Sequence, residues 1–361
     1  MNQRESSVIS VLRYPLAVLV IMCHSSLFTL LDKVHLPGSE SWNVLNGLQV
    51  FFSETIIHVA VPLFMLFSGM LFFRKGLPNS AGYAKTLKKK VRTLLVPYLI
   101  WSTFCFFTAV ADGLVSPTPL HWLQGLWDTA LWQPGTTFNI NLPGYPMSMP
   151  LWFLRDLMIL MALTPAIGWL LSKTHGWFLL LPAIWWFPAH AKFFGFGADS
   201  LFYFTLGAWI SLGHHSLLRW VNSHRLLTYI ASIVTMAVMF YFVYTNFLQT
   251  HQIDFRWIPF NIFVVCGMAA TLNIASWLVD SSHDKPLLRL SDSSFWLFAA
   301  HFIFLSQLQR WLWNVIYPNT ELGNIVFYFG FMIAYIPLLT VAYYLLRPRW
   351  PKLMSILTGG R

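Results

Sequence analysis

The sequence predicts an all-α fold, a polytopic helical bundle with about ten transmembrane helices, and three observations lead there. Only 10% of the 361 residues are charged, while 17% are aromatic and 57% hydrophobic. Such a surface is too poor in ionised groups for a water-soluble domain of this size. Apolar stretches long enough to cross about 30 Å of hydrocarbon recur along the whole chain. The Lys and Arg residues between them are distributed asymmetrically, as in a chain oriented across a bilayer. Nothing suggests a periodic repeat, a disulfide framework or a metal site, since Cys23, Cys105 and Cys266 all lie in apolar runs. The chain reads as one domain, residues 1–361.

Taken in order, the first stretch, residues 8–31, is too long, and carries Arg13 too deep, for a cleavable signal peptide, so it is expected to remain as a helix. The second covers 49–73, with Pro62 inside it, and the third covers 91–112 after a basic run. The fourth, 150–172, follows the turn-rich PGYPMSMP. The fifth and sixth, 177–190 and 199–213, are short and flank a Pro/Gly segment from Pro188 to Gly197. They read as a broken pair or as one re-entrant excursion. The last four cover 226–248, 258–280, 293–316 and 325–346.

With the N-terminus inside, the inner connections hold seventeen Lys and Arg and the outer ones four, Lys33, Lys192, Arg256 and Arg310. That bias places both termini in the cytoplasm. The net charge of +10 is then mostly a topology signal, and no nucleic-acid partner is expected. The longest outer connection, 113–149, has no Lys or Arg and contains LHWLQGLWDTALW from Leu120 to Trp132. Its Leu and Trp spacing suits a helix lying in the interface, as a packing segment or as a lid.

Ionisable side chains within a membrane are costly, so each is a functional candidate, with simple pairing as the competing explanation. Arg13 and His24 are eleven residues apart, three turns plus about 20°, and share one face about 16 Å apart along the axis. Glu54 and His58 stand at i and i+4 in the second helix, either as a self-neutralising pair or with Glu54 orienting an imidazole. Arg155 and Asp156 are adjacent and point about 100° apart, so each is expected to find a partner on another helix. His301 lies near the middle of the ninth helix. On the inner side, KTLKKKVRTLL includes Lys88, Lys89 and Arg92. It reads equally as an orientation signal, an anionic-lipid contact or a dock for a polyanionic thioester donor. His214, His215, His224 and His283 lie in inner loops without ligand spacing and read as solvated.

Together these residues resemble the bacterial acyltransferase-3 family of integral membrane O-acyltransferases that modify surface glycans. The family's first-helix Arg, ten intervening residues and His are matched by Arg13 and His24 in LRYPLAVLVIMCHS. Its second-helix Ser-Gly pair is matched by Ser68 and Gly69. Its two arginines three apart, before a helix with Pro-Tyr, are matched by Lys89 and Arg92, with lysine in the first place. LWFLRDL, from Leu151 to Leu157, and SDSSFWLFAAHF are similar to further family segments, the latter without the usual Tyr before its His.

The resemblance implies about ten helices, location in a bacterial cytoplasmic (inner) membrane, and an acyl-CoA donor, usually acetyl-CoA, bound from the cytoplasm without a metal. It makes His24 the base that activates an acceptor hydroxyl on a glycan or lipid-linked sugar, with Arg13 supporting the donor. Depth alone adds Glu54 to the catalytic candidates. His58, Trp152, Arg155, Asp156 and His301 join Lys88, Lys89 and Arg92 as candidate contacts for donor or acceptor. Membrane lipids, and a second copy of the chain in a homo-oligomer, complete the expected partners. A transporter of a glycan or lipid-linked sugar, lined by the same charges and making no bond, is the alternative.

Overall fold

The computed structural model describes residues 3–27, 44–77, 80–188, 192–245, 247 and 257–360. Residues 28–31 of the first expected helix, the outer-loop cations Lys33 and Arg256, the inner Arg361, and positions 189–191 of the Pro/Gly segment lie outside these.

The helices follow in chain order. They are α1 (Gln3–His24), α2 (Val44–Lys75), α3 (Gly82–Ala111), α4 (Pro119–Trp127), α5 (Trp152–Ala162), α6 (Thr164–Lys173) and α7 (Trp177–Trp186). After a two-stranded antiparallel hairpin, β1 (Lys192–Phe193) and β2 (Phe196–Gly197), come α8 (Ala198–Leu212), α9 (Arg225–Tyr244), α10 (Trp257–Asp280), α11 (Ser294–Ile316) and α12 (Glu321–Arg349). Six of them, α1, α2, α3, α9, α10 and α12, are long and apolar enough to cross a membrane. The pair α5 and α6, taken as one span, makes seven. α11 has the length, but Gln307, Gln309, Arg310 and Asn314 dilute its apolar content. A helical membrane bundle is therefore the architecture. Leu226, Ile230 and Ile233 on α9 and Ile333 and Leu338 on α12 stay exposed, as apolar surface meeting lipid would.

Several boundaries differ from the sequence expectation for identifiable reasons. The basic run does not precede the third helix; it forms its first turns, because Lys and Arg are good helix formers. Within α3 the residues Val91–Leu95 form a π turn, with the Val96 N–H reaching back five residues to the Val91 carbonyl. α2 contains a second π turn at Val50–Thr55, followed by a 3₁₀ turn at Ile56–Val59. Glu54 and His58 are thus not one α-helical turn apart, and their shared face does not follow from spacing. The fourth stretch is bent by 60° between α5 and α6. Pro165 sits in the first turn of α6, where it has no N–H to continue the ladder. The helix expected over Leu120–Trp132 stops at Trp127. Asp128 adopts extended backbone there and caps a 3₁₀ turn, Thr129–Trp132, by accepting from the Ala130 N–H at 2.9 Å. At 10 and 15 residues, α7 and α8 are about 15 and 22 Å long, short of the hydrocarbon thickness.

The chain folds as two compact units. One comprises Met1–Ile9, Val61–Trp220 and Arg347–Arg361. At its centre α2 and α8 cross with backbone against backbone: a Cβ at Gly69 would strike the Phe204 carbonyl oxygen, and one at Gly207 would strike that of Leu66. The Ser211 hydroxyl donates to the Met70 carbonyl at 3.0 Å across the same crossing, a small-residue contact of the kind that brings membrane helices together. The Ser-Gly pair noted in the sequence is thus partly a packing device, with Ser68 donating to Phe64 of its own helix. Gly69→Ala forces the helices apart and is expected to destabilise the protein by about 1–3 kcal/mol. A lowered melting temperature in detergent checks this. In the same unit a short helix, Pro351–Leu357, lies along α3, where the Trp101 indole donates to the Leu357 carbonyl at 2.9 Å.

The other unit comprises Ser10–Ala60 and Val221–Leu346. Here α9 packs along α10, joined by the Asn273 amide donating to the Thr228 hydroxyl at 2.5 Å. α12 contributes the fully buried Tyr328 and Tyr343 and the nearly buried Tyr335 to the core. Its Thr340 hydroxyl is 3.0 Å from that of Tyr14 on α1.

Candidate active site

The end of a helix leaves its last carbonyls without intrahelical partners, and in a membrane water does not supply them. α1 ends at His24, and the carbonyls and amides around that end are met by side chains from two other helices, α2 and α11. The Ser53 hydroxyl, in the π turn of α2, donates to the Met22 carbonyl at 2.6 Å. With its proton so committed, Ser53 accepts from the Tyr328 hydroxyl of α12 at 2.7 Å. The Gln309 amide of α11 donates to the Ser25 carbonyl at 2.7 Å. Gln49 of α2 accepts from the Leu27 N–H at 2.6 Å and from the Ser26 hydroxyl at 3.3 Å. His24, half-buried, therefore sits on a helix end fixed from several sides.

His301 is brought to the same place. Its ring is fully buried, with its centre 5.5 Å from that of His24 and the planes inclined by 29°. The Phe302 ring meets His24 edge-on at 5.4 Å. His301 Nδ1 lies 3.0 Å from the Leu297 carbonyl and 2.9 Å from that of Phe298. The Tyr335 hydroxyl donates to the His301 carbonyl at 2.7 Å, tying the backbone of α11 to α12.

Glu54 follows Ser53 in the π turn, half-buried, and its charge acts on Cys23 and on Tyr328. His58 packs its ring edge-on against Phe260, 4.7 Å between centres. The Arg13 side chain is exposed, and the charge of Asp292 reaches it.

In the other unit Arg155 and Asp156 are both buried. Contrary to the expectation from helix geometry, they pair with each other: Arg155 Nε and Nη2 donate to Asp156 Oδ1 at 3.2 and 2.9 Å. The arginine stem is long enough to fold back over one residue, which side-chain direction at Cβ does not forbid. Each also has the distant partners that were expected. Arg155 donates to the Trp127 carbonyl at 2.7 Å and to the Gly195 carbonyl at 2.5 Å, with its guanidinium 4.9 Å above the Trp127 ring. Asp156 Oδ2 accepts from the Gly197 N–H at 3.2 Å and the Ser200 hydroxyl at 3.0 Å. The pair therefore ties α5 to the end of α4, the β-hairpin and the start of α8. Trp152, one turn earlier, is half-buried.

Lys88, Lys89 and Arg92 are all exposed on α3. With exposed Lys85, Lys88 and Lys89 fall at i, i+3 and i+4 on one basic face, and Arg92 follows in the π turn. Among the described residues no group of three His, Cys, Asp or Glu side chains is placed to hold a metal ion.

The residues missed by sequence reading are Gln49, Ser53, Gln309 and Tyr328. All four are uncharged polar side chains, and a search extended from ionisable groups to amides and hydroxyls finds them.

Comparison with known proteins bears on this geometry. The family described as acyltransferase domain matches residues 7–344. The succinoglycan biosynthesis protein ExoH of Rhizobium meliloti (strain 1021) is 30% identical over 351 residues, covering 91% of this chain and 88% of that protein. No solved structure matches.

Proposed function

The chain belongs to the acyltransferase domain family, and from that membership we propose that it is a multi-pass O-acyltransferase of the bacterial inner membrane. It transfers an acyl group, acetyl in the first instance, from cytosolic acyl-CoA to a hydroxyl of a polysaccharide or its lipid-linked precursor. The observation that carries this reading is His24, the imidazole at the fixed end of α1. As general base it takes the acceptor hydroxyl's proton while the oxygen attacks the thioester carbonyl. Positional fixing of the base is what such a step needs, because a misplaced base forfeits the advantage of proximity.

The basic face of Lys85, Lys88 and Lys89, with Arg92 after it, suits the phosphates of a CoA donor, Arg92 alone offering a planar fork. Arg13 supports the donor, and Glu54 and His58 shape the surroundings of the base. Trp152, Arg155 and Asp156 serve the acceptor side indirectly, through the loop and hairpin that the ion pair holds. The polysaccharide acceptor is supported by the likeness to a succinoglycan biosynthesis protein. Ten spans, both termini in the cytoplasm, one acyltransferase domain over 1–361 and self-association belong to the same reading.

Purified protein in proteoliposomes is expected to release CoA from acetyl-CoA when acceptor glycan is present. Surface glycans of cells carrying the gene are expected to show the acetyl mass increment that cells lacking it do not. The bent pair α5 and α6 favours a second reading, transport without chemistry, since broken helices line many transporter paths. Glycan movement without CoA release would establish that reading and overturn ours.

A further inference from the structure

His301 has a fixed proton. Both neighbours of its Nδ1 are backbone carbonyls, which only accept, so Nδ1 carries the hydrogen, shared between Leu297 and Phe298 at 3.0 and 2.9 Å. In the neutral ring Nε2 is then a bare lone pair. That atom is buried and meets no hydrogen-bond donor among the described residues. An unmet acceptor in a fully buried side chain is uncommon and calls for a donor that arrives in some state of the protein. The ring nearest to it is that of His24, 5.5 Å between centres. The two rings are stacked at 29°, so His24 must turn out of that arrangement for an N–H to meet Nε2, and hydrogen bonds between catalytic groups are often made only when substrate is bound.

We propose that His301 is the positioning residue of His24, accepting its N–H at Nε2 and so presenting the other His24 nitrogen, as a lone pair, to the acceptor hydroxyl. The role is that of the third member of a base-orienting chain, filled here by a neutral imidazole whose own tautomer is set by two carbonyls. It rests on the reading of His24 as general base. The hydroxyl O–H breaks and its proton joins His24; the oxygen forms the ester bond as the thioester C–S bond breaks. The departing sulfur takes the proton back from His24 as free CoA thiol. Throughout, the other His24 N–H stays on His24 and is held by His301. Tyr335 fixes the backbone of His301, and Phe302 closes the side of His24 against free rotation.

The test uses the full-length protein in proteoliposomes, with acetyl-CoA as donor and CoA release as readout. His301→Phe, which keeps a ring and removes the acceptor, is expected to lower kcat by about 10²-fold, with KM for acetyl-CoA unchanged. His301→Gln, whose amide supplies both a donor and an acceptor at similar reach, is expected to restore activity to within about tenfold of the unsubstituted protein. A folded Phe variant turning over within threefold of the unsubstituted protein overturns the proposal, as does a Gln variant no better than Phe. If the Phe variant does not fold, His301→Asn takes its place, since its amide falls short of the same position; equal Gln and Asn rates then overturn it. Retention of activity in His24→Ala is a different failure, that of the general-base reading itself, and is read from that variant alone.

Discussion

Replacing His24 by alanine is expected to lower the rate of acyl transfer by about 10²- to 10⁴-fold, the range that a positioned general base contributes. The protein should remain folded. The hydrogen bonds that hold the end of α1 go to the Met22 and Ser25 carbonyls and the Leu27 N–H, so removing the imidazole leaves them in place. What is lost is the proton acceptor, along with the ring contacts to His301 and Phe302. CoA release by the purified variant, together with its melting temperature, separates the two effects. A variant that still turns over within tenfold removes His24 from the chemistry, and a variant that fails to fold assigns it to the scaffold.

The largest stability loss is expected at Asp156. Its two carboxylate oxygens meet Arg155 Nε and Nη2, the Gly197 N–H and the Ser200 hydroxyl. Asp156→Ala leaves a buried guanidinium without its counter-charge, which costs about 3–5 kcal/mol, and the Gly197 and Ser200 donors lose their acceptor as well. Folded yield and melting temperature should fall sharply. The double variant Arg155→Met, Asp156→Leu, with no charge left behind, should be more stable than Asp156→Ala. If the single variant melts with the unsubstituted protein, the pair is not a structural tie. Turnover of whatever Asp156→Ala protein survives then tells whether the loop and hairpin it anchors matter to the acceptor.

How far sequence reached can be judged from particular residues. The membrane class followed from composition because burial in lipid and burial in protein demand the same apolar side chains. The shared face of Arg13 and His24 was legible because α1 is regular from Gln3 to His24, so 100° per residue applies throughout. The same rule misled for Glu54 and His58, where the winding changes from π to 3₁₀ between them. No propensity marks that change; it is made by tertiary partners such as Tyr328 and the end of α1. The Arg155–Asp156 pairing was hidden because spacing gives the direction of Cβ and says nothing of how far a long stem can fold back. His301 was picked out as an intramembrane imidazole, but its neighbour was not, since hydropathy records how much surface is buried and not against what.

π turns interrupt α2 at Val50–Thr55 and α3 at Val91–Leu95. Each holds one residue more than an α-helix would accommodate over the same rise, so each is equivalent to a single-residue insertion in an otherwise regular span. Deleting one residue from either would leave the hydropathy of the span almost unchanged. It would let the window close as ordinary α turns, so that the faces on either side keep their register and only the bulged residue is lost. In α2 the residues at stake are Ser53 and Glu54, which the widened turn presents, and in α3 it is Arg92. Sequence alignments of such chains should therefore accept one-residue gaps in these two windows without a change of face in the rest of the span.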